Sequence, residues 1–409
     1  MTITQERQTD LTDFRDGLRA FLRRIADDFG AGARLSDEHQ GCDRIASVEE
    51  LREGHEDRVR LVRRLQAALY DAGYAWPSGP TDHGGRGLSA EHDLEVERLM
   101  NEMGFPSREA LFVGLNIVAP AVRHHGGDEL RARVLPALYR GDAIGCQLFS
   151  EPGAGSDLAG VSARAVRDGN DWIITGQKVW TSMAHLADLG EALVRTDPDA
   201  PKHAGLTMFI IDMDSPGVTV RPIRQITGGA AFNEVFLDEV RVPDANRIGG
   251  AGEGWRVAAT SLGSERSSMS GSTGPVTPHV LDRLHGLTGR LAAEAGPVHH
   301  EQVARTVTAV AALRAAEELT EKSWSHTLAP ISGSVLKMLM VRAVDEIGRL
   351  AQSVLGERIY FDSGEWDTYA WSEFVLGAPA LHIAGGTDEI QLNVIAQRGL
   401  GLPRPPKNT

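Results

Sequence analysis

A change of hydrophobic periodicity along the chain restricts its fold more than any other feature. Between about residues 145 and 245 the apolar runs are short and β-branched, as in DWIITGQKVW, LTMFIIDM and NEVFLDEVRVP, with Gly, Pro and Asp between them. No helical pattern alternates with these runs, which argues against a sheet built from βαβ units. We therefore predict an antiparallel β unit in the middle of the chain.

On both sides of this unit the apolar residues recur at helical spacing. The run VRLVRRLQAALYDAGY places Leu61, Leu65 and Leu69 on one helix face, with Gly73 as the expected stop. Ser89 is the expected N-cap of AEHDLEVERLMNEMG, and SSMSGSTGPVTPHV is an expected linker. We predict an N-terminal α-helical domain at 1–144, a middle β domain at 145–250 and a C-terminal helical domain at 251–409.

Composition narrows the classes of partner. The 409 residues carry a net charge of −14 from 42 basic and 56 acidic side chains, which argues against nucleic-acid binding. The two cysteines, Cys42 and Cys146, indicate a reducing compartment without a disulfide framework. The start MTITQERQTD lacks the apolar core of a signal peptide, and Ala110–Val122 is too short to span a bilayer. We expect a cytoplasmic protein without membrane insertion and, given the His spacing, without a metal site.

The stretch CQLFSEPGAGSDLAG, at Cys146–Gly160, favours a ligand site. Its glycines remove side chains, so that backbone N–H groups can approach a ligand closely. CQLFS is typical of an edge strand, and Ser150, Glu151, Ser156 and Asp157 add polar groups to one turn. A tight loop without a ligand is the alternative, and the glycine spacing does not fit a dinucleotide fingerprint.

The stretch GQKVWTSMA places Trp180 beside Thr181 and Ser182 at a strand end. An indole there can stack on a flat ring while a hydroxyl reaches the edge of that ring. A tryptophan of the hydrophobic core fits these residues equally well.

The segment GGTDEIQ opens the last predicted helix. Gly385 and Gly386 leave the approach unobstructed, and Thr387 is the expected cap. The first-turn N–H groups and the helix dipole suit a pyrophosphate. Asp388 and Glu389 are favourable in a first turn even without a ligand, so an ordinary capped helix is the alternative.

The stretch SLGSERSS places Glu265 next to Arg266 on a predicted helix. An adjacent acid and base on a helix usually form a solvated pair. The residues alone therefore favour a surface pair over a functional one.

In this order and spacing, these stretches resemble the acyl-CoA dehydrogenase family. The resemblance implies an α+β fold with an N-terminal helical domain, a middle antiparallel β-barrel domain and a C-terminal four-helix bundle. It further implies FAD as cofactor, electron-transfer flavoprotein as electron acceptor, and a tetramer that acts in fatty acid or sterol side-chain metabolism. The implied reaction oxidises an acyl thioester, of CoA or of acyl-carrier protein, to its trans-2-enoyl form.

The resemblance also assigns roles to individual residues. The implied contacts with FAD come from Gln147, Leu148, Phe149, Ser150, Gly155, Ser156, Trp180, Thr181, Ser182, Gly386, Thr387, Asp388 and Glu389. The implied contacts with substrate come from Ser156, Arg266 and Gly385. Many members carry the catalytic glutamate immediately before the final Gly-Thr, and a second group carries it on an earlier helix before an arginine. Because Gly385 occupies a position that in many members is a glutamate, the resemblance makes Glu265 the expected base.

Three further expectations concern substrate, chemistry and assembly. The small residues Gly263, Ala384 and Gly385 predict room for a branched or bulky acyl group. A flavin monooxygenase or oxidase of the same fold is an alternative activity. The RxxFG segment of many members has no counterpart in LHGLTGRLAAEAGPVHHEQVARTV, which resembles an actinobacterial branch in which some members pair two different subunits. The chain is therefore alternatively a partner subunit that does not complete a flavin site alone.

Overall fold

The protein is described from a computed structural model, which covers residues 2–30, 45, 47, 55–268, 275–291, 297–321 and 331–403. Residues 269–274, in the middle of the predicted linker SSMSGSTGPVTPHV, lie outside these described residues. Contacts between Cα atoms divide the chain into two compact units. The first unit is Met1–Glu38, Leu51–Arg224 and Ala230–Ser261, and the second is His39–Glu50, Gln225–Gly229 and Leu262–Thr409. This division does not test the three predicted domains, which stay a prediction.

Most of the α-helices that the structure describes in the first unit precede its sheet in the chain. They are α1 (Thr2–Ile25), α2 (His55–Asp71), α3 (Ala90–Glu102), α4 (Ala119–His125) and α5 (Asp128–Arg140), and a π-helical segment at Gly114–Val118 leads into α4. Leu65 and Leu69 are fully buried in the core that α2 shares with α1 and α3, which confirms the predicted apolar face. Gly73 follows the end of α2 with a φ of 77°, a left-handed conformation that glycine adopts without steric cost.

Ser89 occupies the N-cap position of α3, as predicted, but its side chain does not cap the backbone. The Ser89 hydroxyl lies 2.9 Å from His92 Nδ1 instead. The sequence pattern therefore predicted the start of the helix correctly, but the expected hydrogen bond from the Ser89 side chain to the helix backbone is not formed.

Eight strands form one sheet in the first unit. They are β1 (Gly145–Leu148), β2 (Arg164–Asp168), β3 (Asp171–Ser182), β4 (Leu189–Arg195), β5 (Leu206–Asp212), β6 (Val218–Pro222), β7 (Phe232–Pro243) and β8 (Arg247–Ile248). The order is β6-β7-β3-β2-β4-β5-β8, and β1 pairs with β4. Five strand pairs are antiparallel, as predicted. β1 and β2 run parallel to β4. The connection from β1 to β4 contains the β2–β3 hairpin, which provides the long crossover that a parallel pair requires.

The second unit is helical. Its elements are the last part of α6 (Gly254–Ser268), which begins in the first unit, and α7 (Pro278–Leu291), α8 (Pro297–Glu321), α9 (Ser332–Leu355), α10 (Ala370–Leu381) and α11 (Asp388–Val394). A π-helical turn, Ile395–Gly399, continues α11. The core around α9 includes Met340, Val344, Ile347, Trp371 and Phe374. None of the helices within the described ranges is long and apolar enough to cross a membrane.

Candidate active site

Trp180 lies at an irregularity of β3. The register between β3 and β7 shifts between Lys178 and Thr181, and Trp180 adopts a φ of 60°, which is uncommon for a residue other than glycine. A bulge re-aims a side chain away from the regular sheet. The Trp180 side chain is accordingly 60% exposed, and its ring meets Phe232 edge-on at 6.1 Å. The indole therefore belongs to the surface and not to the hydrophobic core.

One buried polar atom on β1 and one on β3 have no hydrogen-bond partner among the residues that the structure describes. They are Thr181 Oγ1, on a residue that is 1% exposed, and Gln147 Nε2 on β1. Leaving such a group unpaired costs about 1–3 kcal/mol, so each favours a polar ligand that supplies the missing bond. Among the described strands, β1 pairs with β4 and lies off the main path of the sheet, which confirms the predicted edge strand. The Gln147 amide N–H donor and the Thr181 hydroxyl fit the polar edge of a flavin.

Glu151 does not present its carboxylate to a ligand, contrary to the expectation from the glycine-rich loop. The side chain is 6% exposed and turned into the protein. Its oxygens accept hydrogen bonds from Lys178 Nζ at 2.8 Å, from the backbone N–H groups of Ser162 and Ala163 at 2.7 and 2.9 Å, and from the Ser162 hydroxyl. Glu151 is thus a structural group that holds the loop closed.

Lys178 is the fully buried partner of Glu151. Its ammonium also donates to the carbonyl oxygens of Phe149 and Leu193. Burial lowers the pKa of Lys178 to about 8. Burial also opposes ionisation of Glu151, but the Lys178 charge and the backbone N–H groups outweigh it and keep the pKa of this carboxyl below its ordinary value. The ion pair therefore connects the start of the loop to β3 and β4.

The remaining predicted residues of the loop differ in exposure. Leu148 and Phe149 bury their side chains, so that any ligand contact they make comes from the backbone. Ser150 is half-buried, and its carbonyl accepts the Val179 N–H at 2.9 Å. Gly155 and Ser156 are exposed at the tip of the loop. The loop thus offers a small hydroxyl and bare backbone to the outside.

The terminal turn of the second unit has the predicted local structure. Gly385 and Gly386 both adopt left-handed backbone, with φ of 65° and 90°. Thr387 is the N-cap of α11, and its hydroxyl accepts the Ile390 N–H at 3.4 Å. The two glycines are needed here because a side chain is strained at such φ values. The capping prediction is confirmed.

Two side chains hold the carbonyl groups of this turn. Gln391 Nε2 donates to the Gly385 carbonyl at 2.6 Å, and Lys337 Nζ, from α9, donates to the Gly386 carbonyl. Lys337 is 2% exposed and lies 3.6 Å from Asp388 Oδ1. Neither residue was predicted from the sequence, although a lysine inside the apolar run SVLKMLMV is a detectable signal.

His382 holds the turn from another side. Its Nδ1 lies 2.6 Å from Asp388 and its Nε2 3.2 Å from Asp345. Burial lowers the pKa of His382, but the bonds to the two carboxylates outweigh burial and raise this pKa above its ordinary value. The ionised form of the histidine is therefore the one that the turn stabilises.

Glu265 and Arg266 are half-buried on the last part of α6, so the solvated pair suggested by the residues alone is not what the structure contains. Burial lowers the pKa of Lys337, and the nearby charges of Asp388 and Glu265 counteract this effect. The site of a Cβ on Gly333, in the first turn of α9, is only 3.0–3.1 Å from Arg266 atoms. Glu265 therefore belongs to the charged surroundings of Lys337.

The predicted site residues fall into two groups. The first unit contains those of β1, the glycine-rich loop and β3, namely Gln147, Leu148, Phe149, Ser150, Gly155, Ser156, Trp180, Thr181 and Ser182. The second unit contains Glu265, Arg266, Gly385, Gly386, Thr387, Asp388 and Glu389. Within the described ranges, no cluster of His, Cys, Asp or Glu has the arrangement of a metal site.

Comparison with known proteins gives matches along almost the whole chain. Family models match at residues 42–142 (acyl-CoA dehydrogenase, N-terminal domain), 146–240 (middle domain) and 252–400 (C-terminal domain). The chain is 36% identical to the acyl-CoA dehydrogenase IpdE1 of Mycobacterium tuberculosis over 97% of its own length and 99% of that protein. It is 38% identical to FadE34 of the same organism over 96% of its length, but it spans only 53% of FadE34.

A solved structure of a variant of the Tcur3481-Tcur3483 steroid ACAD has the same fold. Its TM-score is 0.75 at 25% identity, with 97% of this chain and all of that chain covered. The helical, mixed-sheet and helical order of the described elements agrees with this match. The chain therefore belongs to the acyl-CoA dehydrogenase family, whose members are FAD-dependent oxidoreductases that act on a CH–CH bond.

Proposed function

We propose that this chain catalyses the FAD-dependent α,β-dehydrogenation of an acyl thioester, with Glu265 as the base. The observation that carries this proposal is the half-burial of Glu265 within the charged surroundings of Lys337, whose ammonium also contacts the terminal turn. Gly385, in that turn, has no side chain with which to remove a proton. Glu265, on α6, is therefore the carboxylate that we propose for the role.

The proposed chemistry requires a proton acceptor at the substrate Cα. The Glu265 carboxylate accepts the Cα proton while a hydride leaves Cβ, and a double bond forms between Cα and Cβ. A partly desolvated carboxylate is a stronger base than one in water, which suits a weakly acidic C–H bond. FAD, when bound, supplies the hydride acceptor. Arg266 and Gly385 are proposed to line the acyl thioester, together with Ser156.

The proposed FAD contacts come from both groups of residues. The unpartnered Thr181 hydroxyl and Gln147 amide, and the exposed Trp180 ring, suit the flavin ring system. Ser182 is proposed to lie near flavin N5. The left-handed turn Gly386–Glu389 suits the phosphates, and it is followed by a capped helix. The backbone of Leu148–Ser150 and the loop tip at Gly155 and Ser156 complete the proposed set.

The test is anaerobic bleaching of the bound flavin by a panel of acyl-CoA thioesters. The wild type is expected to bleach, whereas Glu265→Gln keeps its flavin spectrum and loses bleaching by a factor of roughly 10³ or more, because an amide cannot accept the proton. The matched control is Glu301→Gln, an exposed glutamate on α8 that pairs with Arg305. Bleaching by Glu265→Gln at the wild-type rate contradicts the proposed base, and oxygen consumption that accompanies substrate turnover favours an oxidase or monooxygenase.

The proposed substrate is a bulky acyl thioester. A Cβ placed on Gly263, two residues before Glu265, would meet no atom within 4 Å, so the space beside this part of α6 is open. The similar solved structure is named a steroid ACAD. We propose that polycyclic or branched acyl-CoA compounds bleach the flavin faster than short straight-chain ones. The reverse order in the same panel contradicts this proposal.

The proposed assembly is a tetramer that passes electrons to an electron-transfer flavoprotein. The similar solved structure carries two protein names, which favours a second candidate, a heteromer in which this chain needs a related subunit. Purification of the chain alone distinguishes the two. One FAD per chain and substrate-dependent reduction of electron-transfer flavoprotein support the self-sufficient enzyme, whereas a flavin-poor chain that gains FAD with a co-expressed subunit supports the heteromer.

A further inference from the structure

The two glycine carbonyls of the terminal turn are fixed by side chains. Gln391 is fully buried and donates to the Gly385 carbonyl at 2.6 Å, and Lys337 donates to the Gly386 carbonyl. A Cβ on Gly386 would lie 2.8 Å from Gln391 Nε2, which shows how closely the amide fits against the turn. The directions of both carbonyl groups are thereby determined from outside the turn.

Because a trans peptide is planar, the directions of these carbonyl groups also determine the directions of the N–H groups that follow them. In such a peptide the N–H points opposite to the C=O of the preceding residue. Because the structure contains no cis peptide in its described residues, the Gly386 N–H points away from Gln391 and the Thr387 N–H points away from Lys337. Successive N–H groups that point the same way form an anion-binding concavity.

The position of Lys337 on α9 brings its ammonium near the end of α6 and near the terminal turn. Gly333, one helical turn earlier on α9, lies close to Arg266, because a Cβ on Gly333 would be only 3.0–3.1 Å from Arg266 atoms. This approach brings the end of α6 against the same face of α9 that carries Lys337. The charged groups that act on the ammonium are Asp388 and Glu389 on α11 and Glu265 on α6. Behind them, His382 bonds to Asp388 and to Asp345, and Arg266 follows Glu265 on α6.

We propose that Lys337 is a positioning residue for the cofactor: together with Gln391 it holds the Gly385 and Gly386 carbonyls inward, so that the Gly386 and Thr387 N–H groups face a phosphate of FAD. This inference rests on the proposed function for the identity of the anion. Lys337 touches neither substrate nor flavin in this role. Its positive charge has a second effect, because it stabilises the neighbouring Glu265 carboxylate in its ionised form.

The first experiment measures FAD binding and not activity. Apoprotein is titrated with FAD while flavin fluorescence is followed, for wild type, Lys337→Met and Gln391→Met. Each variant keeps an apolar chain of similar length. Lys337→Met leaves the Gly386 carbonyl with the longer 3.4 Å bond from Gln391 Nε2, and Gln391→Met removes the donor of the Gly385 carbonyl. We expect the dissociation constant for FAD to rise about tenfold in each variant. A change below about twofold in both variants overturns the proposal.

The control is Arg342→Met, which removes a basic residue from an exposed position of the same helix. It is expected to bind FAD like the wild type. Far-UV circular dichroism and the thermal midpoint of each apoprotein show whether the variants fold. If Lys337→Met does not fold, the outcome for Gln391→Met decides, because this substitution leaves no buried charge unpaired.

The second experiment separates the charge of Lys337 from its hydrogen bond. At saturating FAD, the rate of flavin bleaching by substrate is measured against pH. Lys337→Met is expected to move the acid limb of this profile to higher pH, since the Glu265 carboxylate is protonated more easily without the cation. Gln391→Met is expected to leave the limb in place. If the acid limb lies at the same pH in all three proteins, the electrostatic part of the proposed role is refuted.

Failure of this inference is distinguishable from failure of the proposed function. A wild type that binds FAD but is bleached by no acyl thioester contradicts the proposed activity and leaves the FAD titration valid. A wild type that is bleached normally, with unchanged FAD affinity in the Lys337 and Gln391 variants, contradicts the positioning role alone.

Discussion

Replacement of Glu151 by glutamine tests whether the buried ion pair, and not the glycine content alone, maintains the loop. Glu151 accepts four hydrogen bonds, from Lys178, from two backbone N–H groups and from a hydroxyl. A glutamine oxygen can accept some of these bonds, but its NH₂ group then faces another donor. The Lys178 ammonium stays in a fully buried position without its counter-charge. Removal of one partner of a buried pair costs about 3–5 kcal/mol, and we expect a loss in that range for Glu151→Gln.

The assay is equilibrium urea unfolding of the apoprotein, followed by tryptophan fluorescence. The matched control is Asp168→Asn, which breaks the exposed ion pair with Arg241 and should cost no more than about 1 kcal/mol. The double variant Glu151→Gln with Lys178→Met should be less destabilised than the sum of the single variants, because no unpaired charge is left in it. A loss below about 1 kcal/mol for Glu151→Gln, or additive single effects, refutes the reasoning.

Two further predictions concern the terminal turn. Gly385→Ala is expected to lower the free energy of unfolding by about 1 kcal/mol because its φ is 65°, whereas Gly286→Ala, inside α7, should raise it by about 0.5–1 kcal/mol; urea unfolding measures both. His382→Asn is expected to lower the thermal midpoint most at about pH 6 and progressively less at alkaline pH. Because the pKa of His382 is raised in the folded protein, its ion pairs stabilise the fold below the ordinary histidine pKa, and this stabilisation is lost as pH rises through the pKa of the folded state. A difference in thermal midpoint between wild type and variant that is independent of pH contradicts this account.

Those features of the fold that local sequence determines were predictable. The change from helical to alternating periodicity located the β unit, and the capping residue Thr387 located the start of α11. Gly73, at the end of α2, was recognisable for the same reason, since a left-handed residue there favours glycine. The parallel pairing of β1 with β4 was not predictable, because alternation in a strand does not encode the direction of its neighbour.

The groups that tertiary contacts bring together could not be read from the sequence. Lys178 and Glu151 are 27 positions apart, and Lys337 and Gly386 are 49 positions apart. Burial decides the role of each, and a sequence does not show which of its polar side chains is turned inward. Glu151 illustrates the consequence, because the loop that contains it was recognised as unusual while the burial of its carboxylate was not predicted.

The backbone conformation of the terminal turn explains why a catalytic glutamate at position 385 would destabilise this turn. A glutamate at 385 would have to adopt the φ of 65° that Gly385 has, at a cost of about 1–2 kcal/mol. If the backbone rotated to relieve this strain, the Gly385 carbonyl would turn away from Gln391, which holds it at 2.6 Å. A carboxylate on α6 avoids both penalties, since Glu265 lies on regular helix. We therefore expect that Gly385→Glu does not restore flavin bleaching to Glu265→Gln, and restoration at more than about a tenth of the wild-type rate would contradict the coupling between turn geometry and the position of the base.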